Sequence, residues 1–267
     1  MTKTHRTALA IALLTSAAAQ AEPPAVLRIC YENQDLMPFF AAVADHGEPG
    51  HGLLLELIQS AAQQAELRIE FQRQPWKRCI LQLEQGQSDG IFAVIWQASR
   101  DSWGQFPGRD PQTNAPVQPG YRLWQVDYPI ISRNGGTLAW NGTQFSGLKN
   151  GLSAPLGYIA NQRLESLGAL AKSSYKVDVA LKMVAADRLD GYVLERQTAR
   201  TYLRKLGLQT QLGFLPEPLL KADWYLPLSH QFYRDHPELA QRFWQALSDQ
   251  RELRAEELTR RYLSDPD

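Results

Sequence analysis

Apolar and polar positions along the 267-residue chain fall into short alternating blocks. Val26–Tyr31 (VLRICY) reads as a buried strand. Within Leu53–Ala65, the positions Leu54, Leu57, Ile58, Ala61, Ala62 and Ala65 form a stripe spaced for one helix face. Leu67–Gln72 (LRIEFQ) alternates as a half-buried strand does. Pro75 stands where the first turn of a helix tolerates it, and Gly86 where a helix stops. Ile80, Leu81 and Leu83 give that short helix its apolar side, and Gly90–Ile95 (GIFAVI) reads as a third strand. The order β-α-β-α-β predicts a mostly parallel sheet covered by helices.

The pattern then breaks. Residues 101–120 hold Pro107, Pro111, Pro116 and Pro119 with several glycines, which predicts a long irregular loop. Tyr128–Ser132 (YPIIS) resumes extended structure, and Asn134-Gly135-Gly136 marks a turn. A second alternation follows. It has a strand at Leu152–Ala154, helices over Asn161–Leu167 and Val177–Ala186, a strand at Gly191–Leu194 and a helix at Arg196–Leu206. The end of the chain is expected to be helical over Pro237–Leu247 and Glu252–Tyr262.

Composition narrows the class. A hydrophobic fraction of 44% and a charged fraction of 21% suit a globular chain. Lys+Arg and Asp+Glu balance at 28 each, which argues against a broad basic surface for nucleic acid. Lys3 and Arg6 precede the apolar run Ala8–Leu14, and small residues lead to Ala19-Gln20-Ala21. This is the pattern of a cleaved secretory signal over residues 1–21. Its removal would take one Lys and one Arg and leave the mature chain slightly acidic. A soluble periplasmic product is expected, with no membrane span. The only cysteines are Cys30 and Cys79. An oxidising compartment favours a bridge between them, and two buried free thiols are the alternative. There is no C-x-x-C and no helical histidine pair, so neither a metal nor a cofactor is expected.

Ligands of open α/β sheets sit outside the carboxyl ends of the strands. That rule selects Tyr31 and Glu32 after the first strand, Trp76 and Arg78 after the second, and Trp96 and Arg100 after the third. In the second unit it selects Tyr158 and Glu195. Aromatic faces hold flat or aliphatic surface, arginine grips a carboxylate, and an acid receives an ammonium.

Five stretches give the chain a resemblance to a known family. They are Leu27-Arg-Ile-Cys-Tyr-Glu32, Gly52-Leu-Leu-Leu-Glu56-Leu57, and Gln74-Pro-Trp-Lys-Arg-Cys79 with Leu83-Glu-Gln-Gly-Gln-Ser-Asp89-Gly90. The others are Trp96-Gln-Ala-Ser-Arg100 and Ala185-Ala-Asp-Arg-Leu-Asp190-Gly-Tyr-Val-Leu-Glu195. Together they resemble the extracellular solute-binding proteins of family 3, over about Val26 to Tyr262. The resemblance implies a two-lobed periplasmic binding protein fold of type II with two crossover segments. Lobe one would use residues 26–125 and 228–267, and lobe two 126–227. It also implies that Arg100 holds a ligand carboxylate and Glu195 an ammonium. The implied protein is a monomer that captures a small, amino-acid-like solute and delivers it to an ABC-transporter permease. Two other readings stay open. One is a dehydratase-like enzyme using Glu32 or Glu195 as acid or base. The other is a sensing protein without transport.

Overall fold

The computed structural model describes residues 25–41, 51–110, 112–113 and 116–264. The signal peptide expected over residues 1–21 lies outside the described residues. The first half of the chain folds as its periodicity predicts. Strand β1 (Ala25–Glu32) leads to helix α1 (Leu53–Gln64), strand β2 (Leu67–Gln74), helix α2 (Trp76–Glu84) and strand β3 (Gly90–Ile91). The apolar stripe of α1 is buried against the sheet, as Leu54, Leu57, Ile58, Ala61 and Ala62 show. The three strands form a parallel sheet in the order β2-β1-β3. Succession reverses direction between β1 and β3, and that is where an open α/β sheet leaves a crevice.

The expected single strand Gly90–Ile95 is divided. Ala93 adopts φ 61 between β3 and strand β4 (Val94–Ile95). That left-handed residue turns the chain out of the parallel sheet, so β4 joins a different one. There it pairs antiparallel with β12 (Leu220–Tyr225), which also pairs antiparallel with β5 (Trp124–Tyr128). These are the two crossings. Their ladder runs on past Pro129 through the amide bonds from Leu219 to Tyr128 and from Leu215 to Ile130. The prolines 129, 216 and 218 interrupt it, because proline has no N–H to donate.

Beyond the crossings lies the second lobe. It holds β6 (Ile130–Arg133), a two-stranded ribbon of β7 (Ala139–Trp140) and β8 (Phe145–Ser146), and β9 (Leu152–Ser153). Helices α3 (Ile159–Ser166) and α4 (Val177–Ala185), strand β10 (Gly191–Val193), helix α5 (Arg196–Leu206) and strand β11 (Leu212–Phe214) complete it. Its sheet order is β11-β6-β10-β9. β6 runs antiparallel to both β10 and β11, so β9, β10 and β11 share one direction. The reversed strand is the one that enters straight from a crossing without an intervening helix. Thus the first sheet is wholly parallel and the second is mixed.

The chain returns through β12 to α6 (His230–Asp235) and α7 (Pro237–Leu258). Two C-terminal helices were expected, and α7 is instead one helix of 22 residues. Between the two expected helices, Ser248 and Arg251 are buried. Ser248 Oγ and Arg251 Nη1 donate to the Gly120 carbonyl, which keeps the helix intact against the proline-rich loop. After α7, Arg261 and Tyr262 reach Glu56 on α1 and fasten the C-terminus to the first lobe. No helix among the described residues is long and apolar enough to cross a membrane.

Cys30 on β1 and Cys79 on α2 form a disulfide with Cα atoms 5.4 Å apart. It closes a loop of 49 residues. Chain entropy makes such a loop worth about 4 kcal/mol. Replacing both cysteines by serine should lower the unfolding free energy by roughly that amount. A denaturant series checks it, and an unchanged midpoint contradicts the bridge's role. The unreduced wild type should also weigh two hydrogens less than the reduced chain.

Candidate functional site

The carboxyl ends of β1 and β3, the first turn of α2 and the crossing strands surround a cavity between the lobes. With its mouth it encloses about 460 Å³ of empty space. The two lobes approach each other closely around it. Gly157 shows how they meet. Its φ of 85 suits a residue without a side chain, and a Cβ there would lie 3.4 Å from Cδ1 of Trp76 on the opposite lobe. On another side, the Tyr202 hydroxyl of α5 lies 3.4 Å from the Asp35 carbonyl oxygen.

Four of the eight sequence-selected residues line this cavity: Arg100, Trp76, Tyr158 and Glu32. Arg100 ends a short 3-10 turn, Ala98–Arg100, and is only 4% exposed. Its Nη1 donates to the Ile95 carbonyl at 2.9 Å, and its guanidinium lies 4.5 Å from the Trp103 ring centroid. Its buried Nε has no acceptor, and no carboxylate among the described residues pairs with it. Burial pushes its pKa down to about 10, so it stays charged at neutral pH. A buried, uncompensated cation is costly unless an anion completes it.

Trp76 opens α2 and stacks edge-on against Trp103. The Cys30–Cys79 bridge holds that helix to β1 three residues further on. Glu32 ends β1, and burial raises its carboxyl. Backbone N–H groups of Gln34, Trp76 and Asn33 partly offset that rise. The Tyr158 hydroxyl is held well above its usual range, first by burial and then by the nearby Glu32.

The other four do not line the cavity. Tyr31 is 2% exposed and stacked on Phe92, because it points inward from a strand with a helix-covered face. Arg78 is exposed one turn along α2. Trp96 donates its indole N–H to Asp101 at 2.9 Å, with the Arg109 guanidinium 5.5 Å from its ring. Asp101 also accepts from Arg109 Nε at 3.0 Å, so Trp96 helps to shape the loop beside Arg100. Glu195 is the N-cap of α5. Its two oxygens accept the N–H groups of Gln197 and Thr198 at 2.9 and 2.8 Å. It faces a separate hollow behind the crossings, beside Asp127 and Arg196.

Sequence reasoning missed Phe40, Phe92, Tyr128 and Trp224, which also line the cavity. Tyr128 and Trp224 lie on the paired strands β5 and β12, opposite Leu220 and Trp124 respectively, and the Trp224 indole reaches along the ladder to donate to the Tyr128 hydroxyl at 2.9 Å. Phe40 is seated by Gly52, where a Cβ would lie 2.4 Å from the Phe39 carbonyl oxygen. Ala93 is also on the wall, and its left-handed backbone is strain stored beside the cavity.

No protein-family model matches the chain, and no curated protein matches its sequence. Solved structures match its shape. A histidine kinase sensor domain similar to periplasmic binding proteins is 17% identical, with a TM-score of 0.70 over 91% of this chain and 97% of that one. The substrate-binding protein of an amino acid ABC transporter is 12% identical, with a TM-score of 0.69 over 90% and 100%. An amino acid ABC transporter substrate-binding protein from Streptococcus pneumoniae, bound to L-arginine, is 15% identical, with a TM-score of 0.65 over 88% and 92%. The chain has the two-lobed fold of periplasmic binding proteins.

Two predictions follow from the local energetics. Burial pushes the Glu195 carboxyl up to about 7. The folded chain then holds this proton more tightly than the unfolded chain does. The stability it contributes is whole below the ordinary carboxylate range and is lost as pH rises through about 7. Glu195→Gln keeps a capping oxygen, so its melting temperature should gain on wild type between about pH 5 and about pH 8. A difference that stays flat over this range contradicts the buried, raised carboxyl. Ala93→Gly should raise stability by up to about 1 kcal/mol, because glycine accepts the left-handed conformation freely. Urea unfolding reads the change, and a loss of about 1 kcal/mol or more contradicts the strain.

Proposed function

We propose that the chain is an exported solute-binding protein whose lobes close over a small solute bearing an anionic group. The lobes divide at residues 26–125 with 228–267 and at 126–227, with the crossings β5 and β12 as the hinge. Closure brings Trp76 and Arg100 of one lobe against Tyr158 of the other, around whatever lies between them. The observation that carries this reading is the Arg100 guanidinium, buried in an interlobe cavity with no counter-ion among the described residues. A carboxylate would supply the missing charge and the missing acceptor at once. The amino-acid-like solutes expected from the sequence are the first class to try. By analogy with the transporter components of similar fold, the solute would pass to an ABC-transporter permease.

Binding fits the site better than catalysis. Of the two acids considered for acid–base work, Glu195 is outside the cavity and capped by backbone N–H groups. Glu32 lines the cavity but has no basic partner in hydrogen-bond contact among the described residues. A ligand-sensing role without transport is the second reading, favoured by the sensor domain of similar fold.

A thermal-shift screen of the mature protein against amino acids, other carboxylates and polyamines tests the proposal. A ligand at about 100 times its Kd adds about 2.7 kcal/mol to folding stability, enough for a shift of several degrees. At least one carboxylate should give such a shift, and Arg100→Ala should abolish it. A shift that survives the substitution, or a response confined to amines, overturns the assignment of Arg100.

A further inference from the structure

We infer that the preferred ligand is a monocarboxylate with an uncharged aromatic or branched apolar body, and that zwitterionic amino acids are the weaker class. This rests on the solute-binding reading above and names the solute more closely. Two residues that line the cavity carry a donor with no acceptor among the described residues. One is Arg100 Nε, buried without an acceptor. The other is the Tyr128 hydroxyl, which accepts from Trp224 and has no acceptor for its own proton among the described residues. Both groups border the same cavity. An anion would satisfy the two together.

Among the described residues the cavity offers no comparable place for a cation. Glu195, the acid expected to hold an ammonium, accepts an N–H of the α5 N-terminus on each oxygen and lines a separate hollow rather than this cavity. Glu32 is the one carboxylate on the wall, and backbone N–H groups of Gln34, Trp76 and Asn33 already point at it. Burial further disfavours its charged form. The rest of the wall is aromatic or aliphatic, with Phe40, Phe92, Trp76 and Trp224 the largest faces. An ammonium drawn between those faces would gain only the attraction of the rings for a cation, with no free carboxylate to offset the loss of its water. A phenyl or branched alkyl body would instead exchange water for ring faces and edges.

Isothermal titration of the mature protein with matched pairs tests this. The pairs are 3-phenylpropanoate against L-phenylalanine, and 3-methylpentanoate against L-isoleucine; each differs only in the ammonium. The des-amino acid of each pair should bind at least about tenfold more tightly. Arg100→Gln and Tyr128→Phe should each weaken it, in variants whose circular dichroism matches wild type. If the amino acid of each pair binds more tightly, the inference fails while the carboxylate reading stands. If neither member of either pair binds, and phenethylamine does, both fail.

Discussion

Tyr128 and Trp224 meet on the two strands that join the lobes, with the indole N–H of one bonded to the hydroxyl of the other. They lie 96 residues apart in sequence, and the antiparallel ladder of β5 and β12 is what brings them together. That ladder is a double constraint. It keeps two separately folded sheets in contact, and it places two aromatic side chains at the back of the space between them. The proline-interrupted continuation into β6 and β11 leaves few amide bonds to resist bending there. The disulfide and the Glu56 cluster tie elements of the first lobe to one another.

Arg100 is a buried cation that no carboxylate among the described residues pairs with. Folding places the Arg100 guanidinium on a buried turn, held by one carbonyl and one indole face. Nothing in the fold of the first lobe requires a positive charge at that point. A leucine would pack against Trp103 at lower desolvation cost. The expense becomes intelligible if the charge is completed from outside when the lobes close. Glu195 offers a contrast within the same molecule. It too is buried, yet both its oxygens accept N–H groups at the start of a helix of its own lobe.

The elements of the first lobe were legible because their signals are local. β1, α1, β2 and α2 begin within a residue of where the periodicity, Pro75 and the apolar stripe place them, and α5 spans the predicted residues. The division of Gly90–Ile95 at Ala93 was not legible, since nothing in the side chain announces a left-handed alanine. The site was half legible. Rim positions at strand ends could be selected by topology, and Arg100, Trp76, Tyr158 and Glu32 do meet. Which end residues point inward was beyond that rule, and Tyr31 fell to the core side of the pleat. The wall from Tyr128 and Trp224 was invisible for a different reason. It depends on pairing between strands far apart in sequence, and such pairing leaves no periodic trace.

The dependence of closure on the buried charge is most directly measured as an interlobe distance. Fluorophores at the exposed positions Glu84 and Lys172, one on each lobe and introduced without cysteine, would report it by energy transfer. Saturation with a bound carboxylate should shift wild type to a single shorter-distance population and leave Arg100→Ala unmoved. A carboxylate that binds without changing the distance distribution, or that closes the Arg100→Ala variant equally, would contradict closure driven by completion of that guanidinium.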